Sequence, residues 1–275
     1  MITIMQPEVG RLIAERDVGN GRGVRTGRDG GDEVDTAVAR ITIHHASKRN
    51  AMTPAMWRQF PELLAELSTD TAVRVLVLAG AGDTFCAGAD ISTLRGGAHA
   101  AQGLSVAAEE ALASFPKPTL AVVRGDCVGG GCQLAAACDL RFAARDARFG
   151  ITPAKLGIVY PASSTRRLVR LIGPSAAKYL LLSAELVDAE RAMRHGLVDE
   201  IHPGDTLDQR VADFAELLAT RSQLTQAAAK EFVDGRTDRE RVAHWERAAA
   251  SAGEEAEEGV RAFLERRPPR FSWTL

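Results

Sequence analysis

The sequence has few of the features that mark disulfide-rich, metal-binding or membrane-spanning proteins. Its four cysteines form no C-x-x-C pair, and no His or Cys residues stand at zinc-finger spacing. No apolar run approaches ~18 residues, and no basic segment leads into an apolar core as in a secretory signal. We therefore predict free buried thiols, no metal site, no membrane association and a cytoplasmic location.

An excess of charge of one sign is also missing. The chain has 34 basic and 36 acidic residues, which give a formal net charge of −2. This balance offers no electrostatic basis for nucleic-acid binding, so we expect no nucleic-acid partner. The 275 residues, 45% of them hydrophobic, are enough for one large globular domain or for a domain with a helical extension.

Predicted strands and helices alternate over the first two-thirds of the chain. Apolar, β-branched runs at residues 37–44, 73–78 and 120–124 are typical of strands, and helical periodicity separates them. From residue 206 to residue 264 the pattern is almost entirely helical. These patterns predict a parallel α/β core followed by a helical C-terminal part. Residues 17–35, rich in Gly, Arg and Asp, are predicted to form a flexible loop.

Two turns of small residues carry the functional prediction. The triplet Gly129–Gly131 lies between a predicted strand and a predicted helix, and FCAGAD at residues 85–90 follows another predicted strand. The triplet is consistent either with a backbone anion site at a helix N-terminus or with tight helix–strand packing. Because ligands bind at the carboxyl ends of parallel strands, we expect both turns at one edge. Two converging N–H groups there would form an oxyanion hole.

FCAGADI and GGGCQLAAACDL, in this order and spacing, resemble the crotonase (enoyl-CoA hydratase/isomerase) superfamily. Residues 48–52, 149–168, 229–233 and 263–271 resemble further segments of that family. The resemblance implies an α/β fold with a spiral core of ββα turns over residues 1–203, into which the loop 17–35 is inserted. It also implies a C-terminal helical trimerisation region over residues 204–275, and assembly as a homotrimer or a dimer of trimers.

The resemblance further implies that the partner is an acyl-CoA thioester and that coenzyme A enters only as part of this substrate, with no separate cofactor. Ala87 and Gly130 would donate their backbone N–H groups to the thioester carbonyl and stabilise an enolate. The residues that the resemblance places along the acyl-CoA site are Lys48, Asn50, Ala51, Ala87, Gly88, Ala89, Asp90, Gly130 and Lys230.

Two positions depart from the hydratases of that family, which use two glutamates as acid and base. Gln133 and Pro153 occupy those positions, and neither side chain exchanges a proton near neutral pH. The run TPAKLGIVY, ending at Tyr160, resembles methylmalonyl-CoA decarboxylase-like members. Decarboxylation or another lyase step fits these two positions better than hydration, and an isomerase or other enolate reaction stays open. Gln133 and Tyr160 are the predicted polar neighbours of the acyl group, with no role assigned. The alternatives are a catalytically inactive acyl-CoA-binding or scaffold protein and, for Tyr160, a half-buried core residue.

Two further side chains have both a structural and a catalytic interpretation. His44 and His45 end a predicted strand, so one of them faces the core or the ligand side, as a structural residue or as a base.

Overall fold

The structure is a computed structural model that describes residues 10–17, 37–93 and 98–275. The loop predicted for residues 17–35 lies outside these residues, except for Asp17 at the end of the first strand. The strands are β1 (Arg11–Asp17), β2 (Ala37–His44), β3 (Val73–Gly80), β4 (Thr119–Val123), β5 (Asp126–Val128), β6 (Leu140–Ala144), β7 (Arg148–Gly150), β8 (Val187–Asp188) and β9 (Glu200–His202).

The helices are α1 (Pro54–Thr69), α2 (Ala98–Ala113), α3 (Gly130–Ala137), α4 (Ala162–Ser183), α5 (Ala189–Arg194), α6 (Leu207–Ala219), α7 (Gln223–Val233), α8 (Arg239–Ser251) and α9 (Glu254–Glu265). Helix α1 begins at a side-chain cap. The N–H of Met56 donates to Thr53 Oγ1 at 3.3 Å, and Pro54 is the first helical residue. Proline fits there because the first N–H of a helix has no intrahelical acceptor.

The main sheet has the order β1-β2-β3-β4-β6-β9 within the described residues. Strands β2, β3, β4, β6 and β9 pair in parallel, and β1 pairs antiparallel with β2. The central strands β3 and β4 are buried along nearly their whole length because both faces of the sheet are covered. The alternation of strands and helices in the sequence therefore predicts this parallel core correctly.

Helices cover the two faces of the main sheet unequally. On one face, α1 to α4 contribute to the large hydrophobic core that includes Trp57, Phe60, Leu112 and Leu134. On the other face, α6 packs Leu207 and its apolar neighbours against the outward side chains of β3, β4 and β6. Helix α6 follows residue 203 in sequence, and its contacts are nevertheless with the main sheet.

A second sheet, with the order β5-β7-β8, is not evident in the sequence pattern. Its strands have only two or three residues each, too few for a periodicity to show. Parallel pairing of β5 with β7 places the chain just before the glycine triplet next to the segment at residue 150. The N–H of Gly129 also donates to the carbonyl oxygen of Gly150 at 2.8 Å.

The C-terminal helices α7 and α8 build a small core of their own around Leu224, Ala227 and Trp245, against which Trp273 and Leu275 pack. Helix α4 contains a kink near residue 173. Gly173 has a positive φ of 73° inside α4, and Pro174 follows it. Among the described residues, no helix is long and apolar enough to cross a membrane.

Lys117, between α2 and β4, gives a testable pH dependence. Its Nζ donates to the carbonyl oxygens of Leu67 at 3.3 Å and Asp70 at 2.6 Å, and burial lowers its pKa to about 8. The pKa of a lysine in an unfolded chain is about 10.4, so between these two pKa values the unfolded chain binds more protons than the folded one. The free energy of unfolding therefore rises with pH in that window.

We expect wild type to gain stability relative to Lys117→Met as the pH is raised from about 8 to about 10. Urea unfolding of both proteins at several pH values measures the difference, since the other lysines titrate alike in both. A stability difference that stays constant over this range would contradict the prediction.

Candidate functional site

The two small-residue turns lie side by side. The N–H of Phe85 donates to the carbonyl oxygen of Arg124 at 2.7 Å, and the N–H of Cys86 donates to Asp126 at 2.9 Å. The N–H of Val128 returns a bond to the carbonyl oxygen of Cys86 at 2.9 Å. The FCAGAD segment thus runs along β5, so that its small residues meet the glycine triplet where α3 begins.

Glycine is required at two points where the turns meet. Gly88 has a positive φ of 99°, and a Cβ there would lie 2.9 Å from the carbonyl oxygen of Val128 and 3.3 Å from the nitrogen of Gly130. A Cβ on Gly130 would lie 2.9 Å from Cζ2 of Trp57 and 3.5 Å from the nitrogen of Ala89. The triplet therefore serves close packing and, at the same time, brings the amides of Ala89 and Gly130 near one another.

The Ala87 amide is already used inside the protein. Its N–H donates to the carbonyl oxygen of Arg49 at 3.0 Å, so it is not free to bind a ligand oxygen, in contrast to its predicted role as an oxyanion donor. The amides of Ala89 and Gly130 differ from it, because neither has a backbone acceptor within the described part of the chain. Gly130 is the first residue of α3, and its N–H is one of those that a helix leaves without an intrahelical partner.

Lys48 and Asp90 close one side of the FCAGAD turn. Lys48 Nζ donates to both carboxylate oxygens of Asp90, at 3.0 and 2.8 Å, and to Ser92 Oγ at 2.7 Å. Burial acts to raise the pKa of Asp90, but the bonds from Lys48 and Ser92 outweigh it and lower that pKa. Lys48 remains partly exposed beside the turn, while Asp90 holds the loop.

Asn50 and Ala51 hold the backbone of the neighbouring segments by hydrogen bonds. Asn50 is buried, accepts a bond from the N–H of His45 and donates to the carbonyl oxygens of Ala81 and Thr84. His45 Nδ1 lies 2.8 Å from the carbonyl oxygen of Ala51, which makes His45 a structural residue. These polar groups are occupied within the protein, so they position the site's backbone.

Gln133 belongs to a buried polar cluster that sequence reasoning missed. Gln133 Nε2 donates to Glu109 Oε2 at 2.7 Å and to Ser164 Oγ at 3.1 Å, and Ser164 Oγ also donates to Glu109. Arg167 Nε donates to Glu109 Oε1 at 2.8 Å. Burial acts to lower the pKa of Arg167, but its bonds to glutamates outweigh it and raise that pKa. Glu109 is only 1% exposed, and a charged residue on the apolar face that contains Leu112 is the signal that could have found it.

Tyr160 lies close to this cluster, and Trp57 lies against Gly130. Tyr160 packs against the main core, and burial, together with neighbouring Cys132 and Glu109, raises its pKa well above the ordinary value. Its phenol therefore keeps its proton at neutral pH. The Trp57 ring lies against Gly130, and Trp57 Nε1 has no hydrogen-bond partner among the described residues.

Two other predicted positions do not contribute to this site. Pro153 carries no acidic group, and Lys230 lies apart from the turns. Pro153 begins a short 3-10 turn that ends at Lys155. Lys230 Nζ donates to Asp139 Oδ2 at 2.8 Å and to the carbonyl oxygen of Lys117 at 3.2 Å. These partners precede β6 and β4, whereas Gly130 follows the carboxyl end of β4. Within one chain, Lys230 therefore lies at the opposite end of that strand, and its expected contact with CoA does not fit this geometry.

The four cysteines are free and buried, as the sequence predicts. Three of them lie near the two turns: Cys86 in FCAGAD, Cys127 in β5 and Cys132 near the start of α3. Burial raises the pKa of Cys86 to about 12, so its thiol is neutral and unreactive. These side chains act as small apolar packing between the two turns.

Comparisons with known proteins agree with this architecture. The profile of the enoyl-CoA hydratase/isomerase family matches residues 33–273. A putative enoyl-CoA hydratase of Thermus thermophilus is 37% identical over 253 residues, which cover 85% of this chain and 97% of that protein. A 2,3-dehydroadipyl-CoA hydratase of Escherichia coli is 33% identical over 248 residues, covering 85% and 94%. A solved structure of a putative enoyl-CoA hydratase/isomerase family protein from Hyphomonas neptunium has a TM-score of 0.80, at 34% identity and 86% and 94% coverage.

The parallel core and its structural relatives define the class of protein as the crotonase fold, as the sequence motifs predict. On the profile match and the relatives together, the chain belongs to the enoyl-CoA hydratase/isomerase family. The local likeness to methylmalonyl-CoA decarboxylase around Tyr160 stays a prediction, because the relatives named above are hydratases or members of the hydratase/isomerase family.

Proposed function

We propose that this protein is an enzyme that binds an acyl-CoA thioester with its carbonyl oxygen between the amides of Ala89 and Gly130. The observation that carries the proposal is the approach of these two amides at the start of α3, both without an intramolecular acceptor in the described residues. The partial positive charge at the N-terminus of α3 would also stabilise negative charge on the carbonyl oxygen at this position. Ala89 takes the place of Ala87 as the first donor because the Ala87 N–H is bonded to Arg49.

The proposed chemistry passes through an enolate. Breaking a bond to the α-carbon of a thioester moves negative charge onto the carbonyl oxygen, and two fixed donors stabilise that charge more than the neutral carbonyl. Each such donor is worth roughly 3–4 kcal/mol in the transition state. This stabilisation requires only backbone groups and therefore does not depend on the residues at positions 133 and 153.

We propose a lyase-type step in which a group bonded to the α-carbon departs without the bonding electron pair, which stays on the thioester as the enolate until the α-carbon takes up a proton. Gln133 is one helical turn after Gly130 and bears an amide, and Pro153 bears no acid, so a pair of glutamates does not act here. The neutral phenol of Tyr160, close to Cys132 on α3, is the proposed proton donor to the enolate.

A second candidate, favoured by the same two substitutions, is a catalytically inactive protein that binds acyl-CoA. Both candidates would share an oligomeric assembly, which we propose to be a homotrimer or a dimer of trimers. On α9, Val260, Phe263 and Leu264 are 61%, 83% and 74% exposed and form an apolar face suited to a subunit contact.

Incubation with crotonyl-CoA, 3-hydroxybutyryl-CoA and methylmalonyl-CoA tests the proposal. The absorbance of the conjugated thioester and the mass of the products report turnover, and calorimetry reports binding. We expect binding of CoA thioesters and turnover of at least one. Binding without turnover across a wider panel would favour the second candidate, and the absence of binding would overturn both.

A further inference from the structure

The buried carboxylate of Glu109 accepts a hydrogen bond from the side-chain amide of Gln133. Helix α2 supplies Glu109 and helix α3 supplies Gln133, and Glu109 Oε2 lies 2.7 Å from Gln133 Nε2. Ser164 and Arg167 come from α4 and complete the cluster. A carboxylate is thus present one hydrogen bond away from position 133, although position 133 itself carries an amide.

The bonding pattern determines which end of the Gln133 amide faces the cluster. A carboxylate has only acceptors, the Ser164 hydroxyl gives its single hydrogen to Glu109, and an arginine has only donors. Gln133 must therefore turn its NH₂ group toward Glu109 and Ser164. Its carbonyl oxygen, Oε1, then points away from Glu109, and no donor among the described residues bonds to it.

The free oxygen of Gln133 belongs to the same side of α3 as the proposed oxyanion donor. Residues three apart in a helix share a face, so Gln133 and Gly130 lie one above the other. Glu109 itself is 1% exposed and accepts bonds from three side chains, so it does not reach a ligand directly. Any effect that it has on a ligand must pass through Gln133.

We propose that Glu109 is a positioning residue that fixes the Gln133 amide with Oε1 toward the acyl group. The site would then select acyl thioesters that bring a hydrogen-bond donor next to the α-carbon and reject those that bring a carboxylate there. This inference rests on the proposed function, because it places the acyl group beside Gly130.

The charge distribution supports the same selectivity. Arg167 Nε bonds Glu109 Oε1, the oxygen away from Gln133, so the negative Oε2 faces Gln133. A carboxylate on the α-carbon would meet an acceptor oxygen backed by this anion. A hydroxyl would instead donate to Oε1, and a buried acceptor without a donor is costly. Decarboxylation of a substrate with a carboxylate on the α-carbon is therefore disfavoured.

The experiment measures dissociation constants for 3-hydroxybutyryl-CoA, butyryl-CoA and methylmalonyl-CoA by calorimetry on wild type, Glu109→Gln and Gln133→Leu. In wild type we expect the hydroxylated ligand to bind at least about tenfold more tightly than the carboxylated one, and more tightly than butyryl-CoA. In Glu109→Gln the amide of Gln133 is no longer held in one orientation, and the ratio should fall to within about threefold. Gln133→Leu should remove the preference for the hydroxyl.

Glu66→Gln, an identical change of charge on the exposed side of α1, is the matched control and should keep the wild-type ratio. A purely structural role of Glu109 would weaken all three ligands together and leave the ratio unchanged, which would overturn the inference. If Glu109→Gln does not fold, Gln133→Leu replaces it in the test. A ratio of dissociation constants equal to that of wild type in Gln133→Leu would then overturn the inference. If wild type binds none of the three thioesters, the proposed function fails, whereas binding with an unaltered ratio refutes this inference alone.

Discussion

Gly130→Ala is expected to lower the turnover of an acyl-CoA substrate by about a hundredfold or more. The added Cβ would lie 2.9 Å from Cζ2 and 3.2 Å from Cη2 of Trp57, closer than carbon atoms approach without displacement. Trp57 is 1% exposed and packed in the main core, so it has little room to move. The helix start must shift instead, and with it the amide proposed as an oxyanion donor. Loss of one such donor costs about 10²–10³ in kcat.

The same substitution at Gly103 is the control. Gly103 lies within α2, and a Cβ there meets nothing within 4 Å. Because alanine is the better helix former, Gly103→Ala should leave turnover unchanged and the free energy of unfolding equal or higher. Steady-state kinetics and urea unfolding measured on both variants separate catalysis from stability. Full activity in a folded Gly130→Ala protein would remove Gly130 from the proposed oxyanion hole.

The parts of this molecule that could be predicted from sequence are those encoded locally. The strand β4, the glycine turn and α3 follow one another along the chain, so a β-branched run, three glycines and small helical residues were sufficient. The cap at Thr53 and the kink at Gly173 are likewise determined by neighbouring residues. Family motifs then predicted the crotonase fold, because they extend over most of the chain.

The details of the site depend on contacts that are remote in sequence. Whether Ala87 or Ala89 has a free amide is decided by the carbonyl oxygen of Arg49, which belongs to another segment. Lys230 is paired by Asp139, and no local pattern joins α7 to the start of β6. Each of these contacts is produced by tertiary packing, and a motif read along the chain does not contain it.

Glu109 also makes contacts that are remote in sequence, but its position in the helical pattern is visible in the sequence. It lies one residue after Ala108 and three before Leu112, both fully buried, so helical periodicity places its carboxylate toward the core. A buried acid requires partners, and these come from α3 and α4. The sequence thus places an acidic residue among apolar positions of α2, while the partners that bind it become known only from the fold.

Arg167→Met is expected to destabilise the protein by about 3 kcal/mol, the largest effect we expect from removing one charge. Arg167 is the cationic partner of Glu109, and without it the carboxylate would keep only the neutral donors Ser164 and Gln133. Removing one member of a buried ion pair costs about 3–5 kcal/mol, because the remaining charge stays desolvated. We take the lower end because Arg167 is itself 22% exposed.

Arg236→Met is the matched comparison. Arg236 is 46% exposed, and its Nη1 lies 3.6 Å from Glu231, so this loss should cost less than about 1 kcal/mol. Urea unfolding at pH 7 measures both variants, and Arg167→Met/Glu109→Leu completes the test by removing the carboxylate as well. That double variant should recover much of the lost stability, because no charge is then left buried and unpaired. Equal losses in the single and double variants would mean that Arg167 contributes by packing alone, and the Glu109 carboxylate would need no cationic partner.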